Sequence, residues 1–334
     1  MLITSTEQLR EYVNVNTSLQ FSDVEKYLRR VERDIIRKAI GTAQLAAFEA
    51  YGQASGSGSG SSASVLDEAH DLIMFAEANL AMFLWMKTGG IQLSTSGIHR
   101  FESDSERGGG KKSAFQYQEI MAREEFKSAG FNYLDSALAL MDQNLASFSA
   151  FAGSSEFAQY RGSIIYTVSQ MESAYSIGGS YLVFSRLKPL FGATEDFEIA
   201  PAVGETLMDK LRAEVLKTDT FDTKLQALLP KVRKAIAHFA IAELLRQPGD
   251  ITDRGLVFEG IDAVNSNFQT RTQVSDAQVQ QRINQAQQYA LNYLGALKDF
   301  LTTNITDYPD YSTHIGTDDN ALDIDSSTEK NMYC

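Results

Sequence analysis

Apolar positions in this chain recur at helical spacing almost throughout. After a short helical start over residues 8–13, Val24, Leu28, Val31, Ile35 and Ile36 form an amphipathic stripe that Ser22 or Asp23 can cap. Leu45 and Phe48 carry the pattern on beyond Gly41, until a Gly/Ser stretch over 54–62 reads as a solvated loop. Residues 65–87 place Leu66, Ile73 and Leu80, and Ala69, Ala76 and Phe83, at seven-residue spacing, with Phe75, Met82 and Trp85 widening the apolar arc; this predicts a central helix. A third helix is predicted over 113–143, with Phe126, Tyr133, Ala137 and Leu140 on one face and Gly130 as a point of irregularity. Between these two helices, Ile91, Leu93, Ile98 and Arg100 around Gly97 predict a short hairpin or extended arm, followed by a polar, glycine-rich loop over 103–112.

The same pattern then returns. Phe184-Ser185 lies 163 positions after Phe21-Ser22, and Ala202-Val203-Gly204 lies 163 positions after Ala39-Ile40-Gly41. Gly255 follows Gly97 by 158 and Tyr293 follows Tyr133 by 160, so the register drops by about five, a change assigned to the Gly/Ser insertion of the first copy. A period near 160 means a duplicated domain and not a solenoid. The second copy is predicted to contain helices over 169–175, 181–190, 207–216, 223–247 and 278–301. Pro189 and Pro201 are expected to break what is continuous in the first copy, and Pro230 to kink or detach a first turn. A second arm comprises Ile251, Arg254, Gly255, Leu256 and Phe258.

The predicted fold is therefore mainly α: two tandem duplicated helical-bundle domains over 1–146 and 156–303, each with a short β-like arm, joined by a linker over 147–155. Residues 304–334 are Asp-rich and aperiodic, which predicts an acidic, extended C-terminal tail. Its apolar residues Tyr308, Tyr311, Ile315, Leu322 and Ile324 are candidates for docking on a partner, whereas Tyr133 and Tyr293 are expected to pack equivalently in their two domains.

Charge and composition narrow the function. A formal charge of −13 and a pI near 4.8 argue against DNA wrapping or an anionic membrane surface, because both need a dense Lys/Arg face. The single cysteine, Cys334, allows neither an intrachain disulfide nor a Cys-rich zinc site. The opening segment has no basic and apolar leader pattern, and every apolar stretch is interrupted by charge before it reaches membrane-spanning length.

Motifs that carry chemistry fail on context. Asp67-Glu68-Ala69-His70 spells a nucleotide-hydrolase box, but only Val65 and Leu66 approach it and no phosphate-binding loop precedes it; the acids read as first-turn residues favoured by the helix dipole. Gly108-Gly109-Gly110-Lys111-Lys112-Ser113 lacks the first glycine and the Ser/Thr that a phosphate cradle needs. His70, His99, His238 and His314 have no partner at metal-binding spacing, and no serine sits in a nucleophile elbow. The expectation is a non-enzymatic chain without metal or cofactor.

The opening Ile3-Thr4-Ser5-Thr6-Glu7-Gln8-Leu9-Arg10-Glu11-Tyr12, followed by a bundle interrupted by an arm, resembles the head-to-tail connector (adaptor) proteins of tailed bacteriophages. Ser94-Thr95-Ser96-Gly97-Ile98-His99-Arg100 and the helix through Ala129-Gly130-Phe131-Asn132-Tyr133-Leu134 are also similar to uncharacterised proteins of Bacteroidetes phages and prophages. The likeness covers about the first 145 residues, and such adaptors are usually single domains near half this length. It implies a virion protein, assembled in the host cytoplasm, forming a neck ring between portal and tail with DNA passing through it. It also implies a homo-oligomer, twelve-fold by the resemblance, that contacts the portal protein and tail or other neck proteins, with no membrane and no sequence-specific nucleic-acid binding. In this reading the assembly arms are Ile91, Leu93, Gly97, Ile98 and Arg100, and Ile251, Arg254, Gly255, Leu256 and Phe258. An intracellular helical protein-binding scaffold with no particle is the competing expectation.

Overall fold

The first helix shows how local chemistry sets the frame. Ser5 adopts an extended conformation and its hydroxyl accepts the Gln8 N–H, while the Gln8 carboxamide reaches back to the N–H and hydroxyl of Thr4. This reciprocal satisfaction of otherwise orphaned donors starts α1 (Thr6–Tyr12). In the computed structural model, which describes residues 1–15, 19–54, 64–88, 91–94, 97–100, 116–246 and 276–318, the chain is mainly helical. It divides into two compact units, Met1–Tyr160 with Gly179–Leu182, and Arg161–Gly178 with Val183–Cys334.

In the first unit, α2 (Phe21–Val31) runs without a break into a π-helical turn (Glu32–Ile36) and then α3 (Arg37–Ile40). A π turn widens the helix, so a stripe that would drift to the surface is brought back to the core. Val24, Leu28, Val31, Ile36 and Ile40 are all buried. Gly41, at φ 84°, ends the run in a conformation that a side chain would strain. Next come α4 (Thr42–Ala54), α5 (Val65–Thr88), β1 (Ile91–Ser94), β2 (Gly97–Arg100) and α6 (Gln116–Gln143). The strands pair antiparallel, with Ile91 opposite Arg100 and Ser94 opposite Gly97, so the first arm is a hairpin. Helix α5 packs along α6 and against α2. Gly130 does not break α6; it is where Leu80 of α5 comes close, and a Cβ there would lie 2.6 Å from the Leu80 Cγ.

The predicted linker is not a linker. A 3-10 turn (Leu145–Ser147), α7 (Ser149–Ala152) and α8 (Ser155–Tyr160) fold onto the first unit. Phe148 and Phe151 are completely buried in it. The Ser/Ala/Gly composition of this stretch conceals two core aromatics.

The second unit contains α9 (Val168–Ala174), capped by Thr167 and Gln170 as α1 is by Ser5 and Gln8. Then α10 (Tyr181–Thr194), a π turn (Glu195–Ile199) and α11 (Ala200–Val203) run continuously to Gly204 at φ 93°. Pro189 and Pro201 therefore do not break the run. Pro189 sits on the exposed side, where the carbonyl it displaces can tilt outward, and Pro201 follows the π turn, whose wider ring relieves the clash with the preceding turn. After these come α12 (Glu205–Leu216), α13 (Thr223–Arg246), α14 (Asp276–Thr303) and α15 (Pro309–Asp318). Helix α13 passes through Pro230 without separating its first turns.

The two units carry matching features at fixed offsets. The two π turns are 163 residues apart, as are Gly41 and Gly204, the positive-φ glycines that end the two runs. Rings in contact repeat as well: Tyr12 meets Phe75 edge-on and Phe75 stacks on Tyr133 at 4.9 Å, while Tyr175 meets His238 edge-on and His238 stacks on Tyr293 at 4.9 Å. His238 lies 163 positions after Phe75, so the inner faces of α5 and α13 match at 163 although the helices begin 158 apart. The drop in register thus falls beyond the ends of α5 and α13. The Gly/Ser stretch does not cause it: α13 has five extra residues at its start, which take up the difference there.

The predicted extended tail also needs correction. Residues 304–318 fold onto the second unit, with Tyr308 and Tyr311 each only 4% exposed and the Tyr308 hydroxyl donating to the Lys224 carbonyl at 2.9 Å. They stand 160 residues after Phe148 and Phe151, and Asn304 bonds the Phe300 carbonyl as Asn144 bonds that of Leu140. Tyr308 and Tyr311 are core anchors of their own chain and not partner-docking residues. Ile315 is half-buried in α15. Leu322 and Ile324 lie outside the described residues, as does the entire second arm of Ile251, Arg254, Gly255, Leu256 and Phe258.

Candidate functional site

Each π turn rotates a glutamate into the core. Glu195 is 2% exposed; its Oε1 accepts the Ile164 N–H at 2.8 Å and its Oε2 accepts from the Arg212 Nε at 3.3 Å. Arg212 also holds Asp196 and lies 3.5 Å from Asp209, while the Ile164 carbonyl accepts from the Arg233 Nε at 3.0 Å. Burial pushes the Glu195 carboxyl above its ordinary range, against the pull of the Ile164 amide and Arg212. The carboxylate ties the segment ahead of α9 to α12 and to the π turn.

In the first unit, Glu32 occupies the matching position and is 8% exposed. The Met1 ammonium lies 3.2 Å from its Oε2. Glu49, which stands 163 positions before Arg212, also grips that ammonium. Arg37 approaches Glu32 at 3.9 Å. Glu77 adds a third acid. It is fully buried on α5, where the second unit has Ala240, and neither of its oxygens accepts a well-formed hydrogen bond, with the Ile3 amide the backbone donor beside it. Burial first, and the Glu32 charge second, hold its carboxyl well above the ordinary range.

Elsewhere the chemistry is that of caps and cores. Asp67 accepts the Ser64 N–H and hydroxyl, each at 2.8 Å, and the Tyr51 hydroxyl, so it caps the start of α5. His70 packs against Phe48 and Tyr51, and its burial lowers its basicity. His238 is enclosed by Tyr175, Tyr289 and Tyr293. Among the described residues no group of three or more His, Cys, Asp or Glu is placed to hold a metal ion, and no helix is long and apolar enough to cross a membrane. Of the first arm, the structure brings Ile91 opposite Arg100 and Leu93 opposite Ile98.

Glu32, Glu77, Glu195 and Arg212 were not singled out from sequence. The available signal was the acid at a 163-residue offset in each copy, four positions before an isoleucine and nine before the glycine.

Residues 199–321 match the model of a family of unknown function (DUF6712). The matched stretch begins at the last residue of the second π turn and takes in α11 to α15, a little over a third of the chain. No curated protein and no solved structure matches the chain.

Proposed function

We propose that the chain is a structural virion protein, a subunit of a homo-oligomeric ring in the neck of a tailed phage, between portal and tail. Its two units are read as copies of one helical module, and the first arm as a contact made on docking. The observation that carries this reading is the repeated frame. Two units share a capped opening helix, a π turn, a positive-φ glycine and a closing aromatic pair, while what recurs is packing and not a reactive constellation. Rigid helical wedges, with a hairpin between the two longest helices of the first unit, suit a ring held by exchanged contacts. The net charge of −13 suits a channel wall to which DNA must not adhere.

Particles purified from cells carrying the gene provide the test. Quantitative mass spectrometry is expected to find the chain in a fixed ratio to the portal protein, and antibody labelling to mark one vertex. Recovery only from the soluble fraction of the cells overturns the proposal and favours an intracellular protein-binding scaffold.

A further inference from the structure

The outer faces of α6 and α14 match in position but not in cover. Helix α14 follows α6 at an offset of 160: Tyr133 and Tyr293 occupy equivalent stacks, and Asn144 and Asn304 make equivalent bonds. At that offset Ser128, Phe131 and Asp135 correspond to Gln288, Leu291 and Gly295, three positions on one helix face. Ser128, Phe131 and Asp135 are half-buried, whereas Gln288, Leu291 and Gly295 are exposed. Leu291 is 55% exposed, and a Cβ at Gly295 would meet open space.

Residues 179–182 supply cover on α6. They belong to the first unit, where Tyr181 stacks on Phe131 at 5.8 Å with the rings 11° apart and its N–H reaches the Asn132 Oδ1 at 3.5 Å. Burial first, then the Asp135 charge, pushes the Tyr181 hydroxyl up to about 12. This covering stretch leads into α10, and its counterpart at the 163-residue offset leads into α2, with Leu19 in the place of Leu182. Within the 334 residues that lead occurs twice, and the copy at 179–182 already covers Phe131. Charge separates the two helices as well. Helix α6 carries Arg123, Glu124, Glu125, Lys127 and Asp135 over the positions where α14, from Ile283 to Leu297, carries no charge at all. In a chain of net charge −13, an exposed helix side depleted of charge has the character of an interface centre.

We infer that the α14 face of Gln288, Leu291, Asn292 and Gly295 binds a second copy of this chain, taking up the stretch at Leu19 as α6 takes up the stretch at Leu182. The contact joins different surfaces of the two copies, so it is head-to-tail and continues from chain to chain until it closes. Such a contact gives the proposed ring its subunit interface; it rests on the chain being a homo-oligomer and needs no particle.

The test follows the full purified chain by sedimentation velocity over a concentration series, as wild type, Leu291→Glu and Gly295→Arg. Both positions are exposed, so neither change is expected to disturb the second unit, and unchanged hydrogen exchange over 223–246 verifies this. The wild type is expected to associate, and each variant to weaken association by about tenfold or more, the effect of placing a charge in a desolvated contact. Orientation is read by disulfide trapping in a Cys334→Ser background, with a chain carrying Leu19→Cys mixed with a chain carrying Leu291→Cys. The mixed dimer is expected to form in preference to either like dimer. A wild type that stays monomeric at every concentration, association that survives both variants, or trapping of like chains alone overturns the assignment. A chain found in particles yet monomeric in solution sinks this contact and leaves the neck assignment standing.

Discussion

Gly130→Ala probes the packing of the first unit most sharply. A Cβ at residue 130 would lie 2.6 Å from the Leu80 Cγ, 2.9 Å from its Cδ2 and 3.1 Å from its backbone nitrogen. A rotamer change would relieve the first two contacts in an open site, but Leu80 is buried and the third contact is to backbone, so α5 and α6 must move apart. Overpacking of this kind costs ~1–3 kcal/mol, and the backbone contact places it in the upper half of that range. Replacing glycine inside a helix gains about 1 kcal/mol. The net expectation is a destabilisation of ~1–2 kcal/mol. Trp85 is the chain's only tryptophan and lies on α5, so its fluorescence in urea reports the first unit alone. Leu80→Ala should cost ~2–5 kcal/mol by itself, yet the double variant should cost less than the two changes added together, because each relieves the other. An unchanged or raised midpoint for Gly130→Ala, or strict additivity with Leu80→Ala, would refute the close approach.

Three further outcomes follow from the same structure. Glu195→Ala should cost ~2–4 kcal/mol, because it strands the buried Ile164 N–H and removes a partner of Arg212, whereas Glu195→Gln, which can still accept from that amide, should cost about half as much; loss of protection at the Ile164 amide is the readout. The Glu77 carboxyl titrates higher folded than unfolded, so the folded state binds the extra proton and stability falls as pH rises from the ordinary carboxylate range through the raised value; Glu77→Gln should flatten that fall in a pH series of Trp85 unfolding midpoints. Tyr308→Phe, which removes the hydrogen bond to the Lys224 carbonyl, should lower the stability of the second unit by ~0.5–1.5 kcal/mol, seen as faster exchange over 223–246.

The long helices were legible because their apolar period runs unbroken for several turns. Residues 65–87 and 223–247 were placed within a residue of α5 and α13, and Tyr133 and Tyr293 sit in equivalent stacks. What escaped depended on contacts distant in sequence. A π turn has no residue signature, so nothing in the local sequence marks the two glutamates that it rotates inward. Proline rules describe an isolated α-helix, and Pro201 follows a wider turn. Phe148 and Phe151 were hidden in a linker-like composition, and Tyr308 and Tyr311 in an acidic one, because a closing segment needs only two aromatics on its unit and leaves the rest to solvent. The candidate site was the least legible part, since its acids come together only through contacts between elements distant in the chain, as Glu195 does with Ile164 and Arg212.

The most direct measurement is cryo-electron microscopy of intact particles, with the portal axis used to average the neck. The account predicts a ring of density between portal and tail into which each helical unit fits, with the π-turn run, α5 and α6 resolved as rods and the Ile91–Arg100 hairpin touching a neighbouring subunit. A neck fully explained by other proteins, with this chain nowhere in the particle, would contradict it.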